Sequence, residues 1–373
     1  MRLQSVPTLA VVAALAGGIP ALAVAQAPTQ DNTPYGTTAA EFLLFGAGAR
    51  GTALGGAFSA MTTDATALYY NPAGIALMPR AGATISTYDY VAETRYSWGG
   101  IAFPFSGGTR AIGISAGTFG FSDQPVYTPE QPDGTGSVYS VNQTMAGLTF
   151  AQNFSDRFSA GITGKGIFDN LGEASGAAFA LDFGTNFHAN INGHPIRFAF
   201  TVTNLGTNLS YSGNALEIDA PRDSIPGEDP VPQNPQPGQF RTKDFPLPTT
   251  FRVGLAYDLV SGENNRLTLI SDFNQPNNNS AGFSAGGEWM SQRLGGSPFG
   301  FALRGSYSYA AANNLEPLDP ESTALKDEEN LQGLALGGGI NYAPGNFNIG
   351  FDYAWKYLGT LGGTNFFSVN LGW

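Results

Sequence analysis

From about residue 82 the chain alternates between apolar and polar positions. Over 346–356, Phe347, Ile349, Phe351, Tyr353 and Trp355 fall on one face, and Asn346, Asn348, Asp352 and Lys356 on the other. Over 196–204, Ile196, Phe198, Phe200 and Val202 oppose Arg197, Thr201 and Thr203. Over 251–259, Phe251, Val253, Leu255, Tyr257 and Leu259 oppose Arg252, Ala256 and Asp258. The last nine residues repeat the pattern, with Phe367, Val369, Leu371 and Trp373 against Ser368, Asn370 and Gly372. A side-chain period of two is that of a β-strand with one apolar and one polar face. Weaker segments of the same kind cover about 82–91, 95–104, 110–120, 139–151, 158–168, 177–188, 266–274, 281–290, 298–309 and 332–342. The pattern predicts about fourteen strands, each rising roughly 23 Å at a tilt of ~45°, close to the apolar band of an outer membrane. The phase slips near Met145, which predicts a bulge or a misplaced strand there.

The connections carry a second pattern. The three longest, about 121–138, 205–249 and 310–331, are the third, seventh and eleventh, all odd, while the even ones are short. With both termini periplasmic, long loops face outward and short turns inward, as in an outer-membrane barrel. A terminal Trp373 suits a last strand that closes against the first, near Gly82, at the periplasmic rim. Closure would then hold whatever precedes the first strand at the periplasmic mouth. A soluble sandwich or barrel also alternates. It buries its apolar face inside, however, and has no use for one-sided long loops.

Composition narrows this further. The chain has 373 residues, no cysteine, 50 glycines, 12% charged residues and a net charge of -12. Mean hydropathy is -0.08, which suits strands that are half apolar rather than membrane helices of ~20 apolar residues. Arg2, the apolar run 9–16 and the small residues Ala23-Val24-Ala25 before Gln26 read as a secretory signal over 1–25. The net negative charge excludes nucleic acid as a partner. The expected domains are a signal peptide at 1–25, a periplasmic segment and hatch at 26–80, and a transmembrane barrel at 81–373. The expected fold class is all-β: a transmembrane antiparallel β-barrel with a small N-terminal helical or loop hatch.

Residues 41–80 do not alternate. Small residues dominate 46–60, which suits close backbone packing in a confined space. Asp64 is placed to cap a short helix over 65–70. Pro72 disfavours helical geometry at Asn71, and Gly74 permits a tight turn. Such a block either enters the lumen as a plug or forms a periplasmic prefix. Its runs 42–50 (FLLFGAGAR), 53–58 (ALGGAF) and 64–74 (DATALYYNPAG) resemble the opening of the PorV/PorQ family. The Asp64…Asn71-Pro72-Ala73-Gly74 part is also similar to the related FadL-type hydrocarbon transporters. The resemblance implies a fourteen-stranded barrel with a hatch built on Gly46, Gly48, Arg50, Gly55, Gly56, Asp64, Asn71, Pro72 and Gly74. PorV/PorQ membership implies a role in type IX secretion, with a translocon or secreted proteins as partners. FadL likeness implies passage of hydrophobic small molecules through a lateral opening.

The alternation places Lys165, Asp182, Arg197, Arg252, Asp258, Asp272, Glu288, Arg304, Asp352 and Lys356 on the inner wall. Mixed signs predict mutual pairing and anchoring of the hatch, or else a polar conduction path. The other inner positions read as Gly, Ala, Ser and Thr, which weakens a channel for apolar molecules. Enzymatic activity is not expected: the only histidines, His188 and His194, have no serine or carboxylate pattern nearby. No cofactor or metal is expected; Asp327-Glu328-Glu329 is a solvated loop run, with weak calcium binding as the alternative. The proline-rich 229–238 is stiff and extended, as a lid, a docking arm or an exposed loop. The expected function is that of a non-enzymatic, PorV/PorQ-like outer-membrane protein of type IX secretion. The alternative is a FadL-like transporter of hydrophobic small molecules.

Overall fold

The computed structural model describes residues 34–220, 236–262, 264–310 and 333–373. The expected signal peptide, most of the proline-rich run and the acidic triplet 327–329 lie outside these residues. Seven strands come first: β1 (Gly82–Asp89), β2 (Arg95–Phe105), β3 (Arg110–Pro125), β4 (Val138–Ser155), β5 (Phe158–Leu171), β6 (Ala174–Ile191) and β7 (His194–Gly206). Three short ones follow in one long connection: β8 (Ser212–Gly213), β9 (Glu217–Ala220) and β10 (Gln236–Gln239). Seven more complete the chain: β11 (Thr250–Ser261), β12 (Asn265–Pro276), β13 (Gly282–Ser291), β14 (Phe299–Ala310), β15 (Leu334–Tyr342), β16 (Asn348–Tyr357) and β17 (Gly363–Gly372).

All strands other than β8, β9 and β10 form one closed antiparallel wall of fourteen. Each pairs with its sequence neighbour, and β7 pairs with β11 across the long connection. Closure joins β1 to β17 in the register Gly82↔Gly372 and Ile85↔Val369. The Trp373 N–H donates to the Ala81 carbonyl at 3.1 Å, one step beyond that ladder. A closed barrel leaves no unpaired edge, which is what a lipid environment demands of a sheet.

Alternation decides which side chains face outward. Ile85 is 66% exposed and Leu148 64%, while their neighbours Ser86 and Thr149 are buried. Phe367, Val369, Leu371 and Trp373 are exposed and Ser368 is buried. So large an exposed apolar surface is a face built for lipid. Short turns cluster at the end that holds Gly82 and Trp373; the strand ends flanking the long connections, Pro125 and Val138, Gly206 and Thr250, and Ala310 and Leu334, lie at the other. These are called the turn end and the loop end below.

Two local expectations are corrected. β4 runs unbroken past Met145, which pairs with Gly117 and Ile167. The apparent slip arises because Met145 is an apolar residue on the inner face, buried in the central hydrophobic cluster. The β3–β4 and β4–β5 irregularities lie elsewhere, at Phe121/Gln124 and Asn153/Ser155. Strands also outrun the ten residues expected: β4 and β6 each have 18. Against the expected spans, β4 adds residue 138 at the loop end and 152–155 at the turn end, and β6 adds 174–176 and 189–191.

Candidate functional site: the barrel lumen

Residues 34–81 occupy the lumen along its length. The chain enters at the loop end: Ala39 N–H donates to Pro246 O at 3.0 Å, and Asn278 Nδ2 donates to Thr38 Oγ1 at 2.8 Å. It leaves at the turn end, where Asn153 Nδ2 donates to Ala76 O at 2.8 Å. The segment therefore spans both ends, rather than sitting at the turn-end mouth as closure alone suggested. Two short α-helices form in it, α1 (Ala49–Ala53) and α2 (Ala67–Tyr70). Asp64 does not cap a helix over 65–70. It accepts from Thr66 N–H at 2.9 Å, bending the chain before α2 starts at Ala67.

Asn71 and Pro72 lock the segment to β5 and β6. Asn71 Nδ2 donates to Ser59 O at 2.9 Å and Thr185 O at 3.1 Å, while its Oδ1 accepts from Ala73 N–H at 3.1 Å. A methyl group on wall residue Gly184 would stand 2.1 Å from Asn71 Oδ1, and one on Gly161 would stand 2.5 Å from the Pro72 carbonyl carbon. The wall thus has a slot, made by two glycines, for this one dipeptide. Gly74 does not serve a turn: it lies within the 3-10 helix Pro72–Leu77. A Cβ there would meet Thr62 O at 2.6 Å, so close packing is its reason. Gly55 has φ +65° and its carbonyl accepts from Ser308 Oγ at 3.0 Å; Gly48 and Gly56 also have positive φ, and Gly46 abuts Tyr70.

One side of the lumen is charged. Glu288, on β13, takes a two-pronged contact from Arg50 of α1, Nε to Oε2 and Nη2 to Oε1, both 2.8 Å. Arg304 on β14 donates to Glu288 at 2.7 Å and to Asp352 on β16 at 2.6 Å. Arg50 also reaches Asp64 at 2.9 Å, and Arg266 stands 3.7 Å from Glu288. Forked arginine contacts of this kind fix orientation as well as charge. Further round, Lys165 pairs with Asp182 at 2.8 Å, Arg197 with Asp258, and Asp272 accepts from Ser59 N–H at 3.2 Å. Arg252 and Lys356 face inward with no carboxylate within 4.0 Å among the described residues.

The opposite side is aromatic. Tyr88, Tyr96, Trp98, Met145 and Phe366 of β1, β2, β4 and β17 are buried inward, packed with Phe42, Leu68 and Tyr70 of the segment. The alternation read inner positions as Gly, Ala, Ser, Thr and charges and missed these. The two sides meet at a gap between Leu43, Leu68, Tyr96 and Met145 on one face and Lys165, Asp182 and Arg252 on the other. This gap has room for about one water molecule.

At the loop end, the described parts of the long connection, 207–220 and 236–249, pack against the barrel wall. Leu209 bridges to Phe245, β8 extends β6 through Ala174↔Gly213, and Tyr211 O–H donates to Asp169 at 2.6 Å. Burial, with the Asp169 contact, pushes the Tyr211 phenol above its ordinary range. His194 Nδ1 lies 3.0 Å from the Asp258 carbonyl oxygen, and His188 is half-buried near the end of β6. No metal-holding group of three His, Cys, Asp or Glu occurs among the described residues.

The fold is a closed fourteen-strand barrel of the outer-membrane type, its lumen filled by the chain's own N-terminal segment. Known structures share the barrel. The toluene transporter TbuX of Ralstonia pickettii matches with a TM-score of 0.52 and 12% identity over 88% of this chain and 98% of that one. The monoaromatic hydrocarbon channel CymD matches at 0.50 and 12%, over 87% and 96%. A FadL homologue from Pseudomonas aeruginosa matches at 0.44 and 11%, over 84% and 94%. At such identities the likeness is one of fold. No family model matches the sequence, and no curated protein does. TbuX is a transporter and CymD a channel, and what they share with this chain is the barrel.

Proposed function

We propose that this chain is an outer-membrane channel for small hydrophobic molecules, with residues 34–81 acting as its hatch. One observation carries the reading: the continuous apolar side of the lumen, from Phe366 and Tyr88 near the loop end through Tyr96 and Trp98 to Leu68. A polar solute gains nothing from such a lining, whereas an apolar one exchanges water for it at about 25 cal/mol per Å². The likeness in fold to a toluene transporter and a hydrocarbon channel supports this reading. The filled lumen implies that the hatch shifts as solute passes. Lys165, Asp182, Arg197, Asp258, Arg304 and Asp352 then serve as wall anchors and Trp373 as the closing residue.

The test is uptake of labelled toluene and of a sugar of similar mass into proteoliposomes. Toluene entering faster than in protein-free liposomes, with sugar excluded, is the expected result; equal toluene rates would overturn the channel. No comparison supports the type IX secretion role implied by the PorV/PorQ resemblance. Recovery of secretion components in a pull-down from native outer membrane would bring it back.

A further inference from the structure

Six aromatic rings meet at the loop end of the lumen. Five belong to the wall: Tyr88, Tyr96, Phe119 and Phe366 on β1, β2, β3 and β17, and Tyr90 just beyond β1. The sixth, Phe45, belongs to the luminal segment. Its ring centroid lies 4.8 Å from Tyr90, 5.0 Å from Phe119, 5.7 Å from Tyr96 and 6.4 Å from Tyr88. Behind it, Tyr88 packs on Phe366 in a tilted contact, centroids 4.1 Å apart and planes inclined at 45°. Three of the four contacts to Phe45 are edge-on, the arrangement that aromatic quadrupoles favour at such distances.

We propose that these five wall rings form a binding site for a neutral single-ring aromatic, and that Phe45 is the site's resident occupant, displaced when ligand binds. The inference rests on the channel reading, which brings apolar solutes to this mouth. The occupant indicates the ligand: four wall rings contact one phenyl group. The site offers no charge. The ion pair nearest in sequence, Asp89–Arg95, is exposed and satisfied within itself at 2.7 Å.

Phe45 is also placed to leave. It is only half-buried, and it ends the single 3-10 turn Glu41–Leu44. Its N–H bonds locally, to Phe42 O at 3.1 Å. The segment's bonds to the wall resume at Gly48 N–H and Ala49 N–H, which donate to Ser86 Oγ and Ser368 Oγ at 3.1 Å each. Among the described residues, 44–47 make no hydrogen bond to the wall, so the ring can swing out without breaking one. A saturated ring would fill the same volume but lacks the π face and polarised edge that the cage contacts.

The experiment titrates fluorobenzene by ¹⁹F NMR into the full-length protein in nanodiscs, with cyclohexane as the competing probe. Removing the occupant removes the fraction of time the site is blocked, so Phe45→Ala should bind fluorobenzene about tenfold or more tighter than wild type. Cyclohexane should gain far less, and adding Phe119→Leu, which removes a ring 5.0 Å from the vacated site, should abolish the gain. Phe45→Leu, which keeps bulk, covers the case in which the alanine variant fails to fold; it should show the same order of ligands. No gain in either folded variant, or an equal gain for cyclohexane, overturns the site. Phe45-dependent binding without toluene uptake would sink the channel and leave the site. Uptake without Phe45-dependent binding would sink the site and leave the channel.

Discussion

The two sides of the lumen hold the same segment by opposite means. On β13, β14 and β16, Arg50 is fastened by forked, directional bonds to Glu288, backed by Arg304 and Asp352. On β1, β2 and β3 and just beyond β1, Phe45 is held by ring contacts to the wall with no hydrogen bond to it. Separating a buried ion pair exposes charges to a medium that cannot solvate them. Separating rings costs only contact and area, about 0.5–1.5 kcal/mol per pair beyond burial. The segment is therefore fixed at Arg50 and comparatively free at Phe45. Charge bookkeeping sharpens the contrast, since Arg50 and Asp64 neutralise each other within the segment while Arg304 and Arg266 balance Glu288 and Asp352 on the wall.

The largest expected effect tests the charged side. Glu288→Ala leaves Arg50 and Arg304 facing each other with Glu288 gone. Removing one partner of a buried network typically costs about 3–5 kcal/mol. Urea unfolding of the barrel in lipid, followed by its mobility shift on heating, should show a loss of that order. A change below about 1 kcal/mol would mean that the charges are not what fixes the segment.

Hydrogen exchange compares the two sides within one molecule. The amides of 44–47 should exchange at least about tenfold faster than those of Gly48 and Ala49, which donate to Ser86 and Ser368. Equal protection would remove the contrast between a loose and a fixed end. Phe366→Leu, on the aromatic side, should cost only about 1 kcal/mol, because the replacement keeps apolar volume and loses the tilted ring contact with Tyr88.

Most of the wall was legible in the sequence because lipid on one side and a filled lumen on the other impose strict alternation. Strand number, loop parity and the inward placement of Lys165, Asp182 and Arg304 all follow from that period. What alternation could not carry was the identity of inner apolar positions. Met145 looked like a slip in register, and nothing in the alternation marked Tyr88, Tyr96 and Trp98 as lining the lumen. Their meaning depends on a segment distant in sequence that lies against them. The glycine slot at Gly161 and Gly184 was equally hidden: a glycine in a strand signals a close approach, but not which residue approaches. The chain's entry at the loop end rests on contacts to Pro246 and Asn278, residues whose place no local pattern predicts.

The smallest effect is expected where the charged motif recurs without burial. Asp89 and Arg95 face each other across β1 and β2 at 2.7 Å, as close as Arg304 and Glu288. Their side chains, however, are 73% and 67% exposed, against 0% for Glu288. Water and salt already solvate both groups, so the pair exchanges one good environment for another. Arg95→Gln should change stability by at most about 1 kcal/mol. Whatever difference exists should fade as ionic strength rises toward 1 M, where screening acts within about 3 Å. Glu288→Ala should keep its cost under the same salt, because ions do not reach a sealed lumen. If salt erased both effects, the network around Glu288 would be open to solvent, and the lumen wall would no longer divide into a fixed side and a loose one.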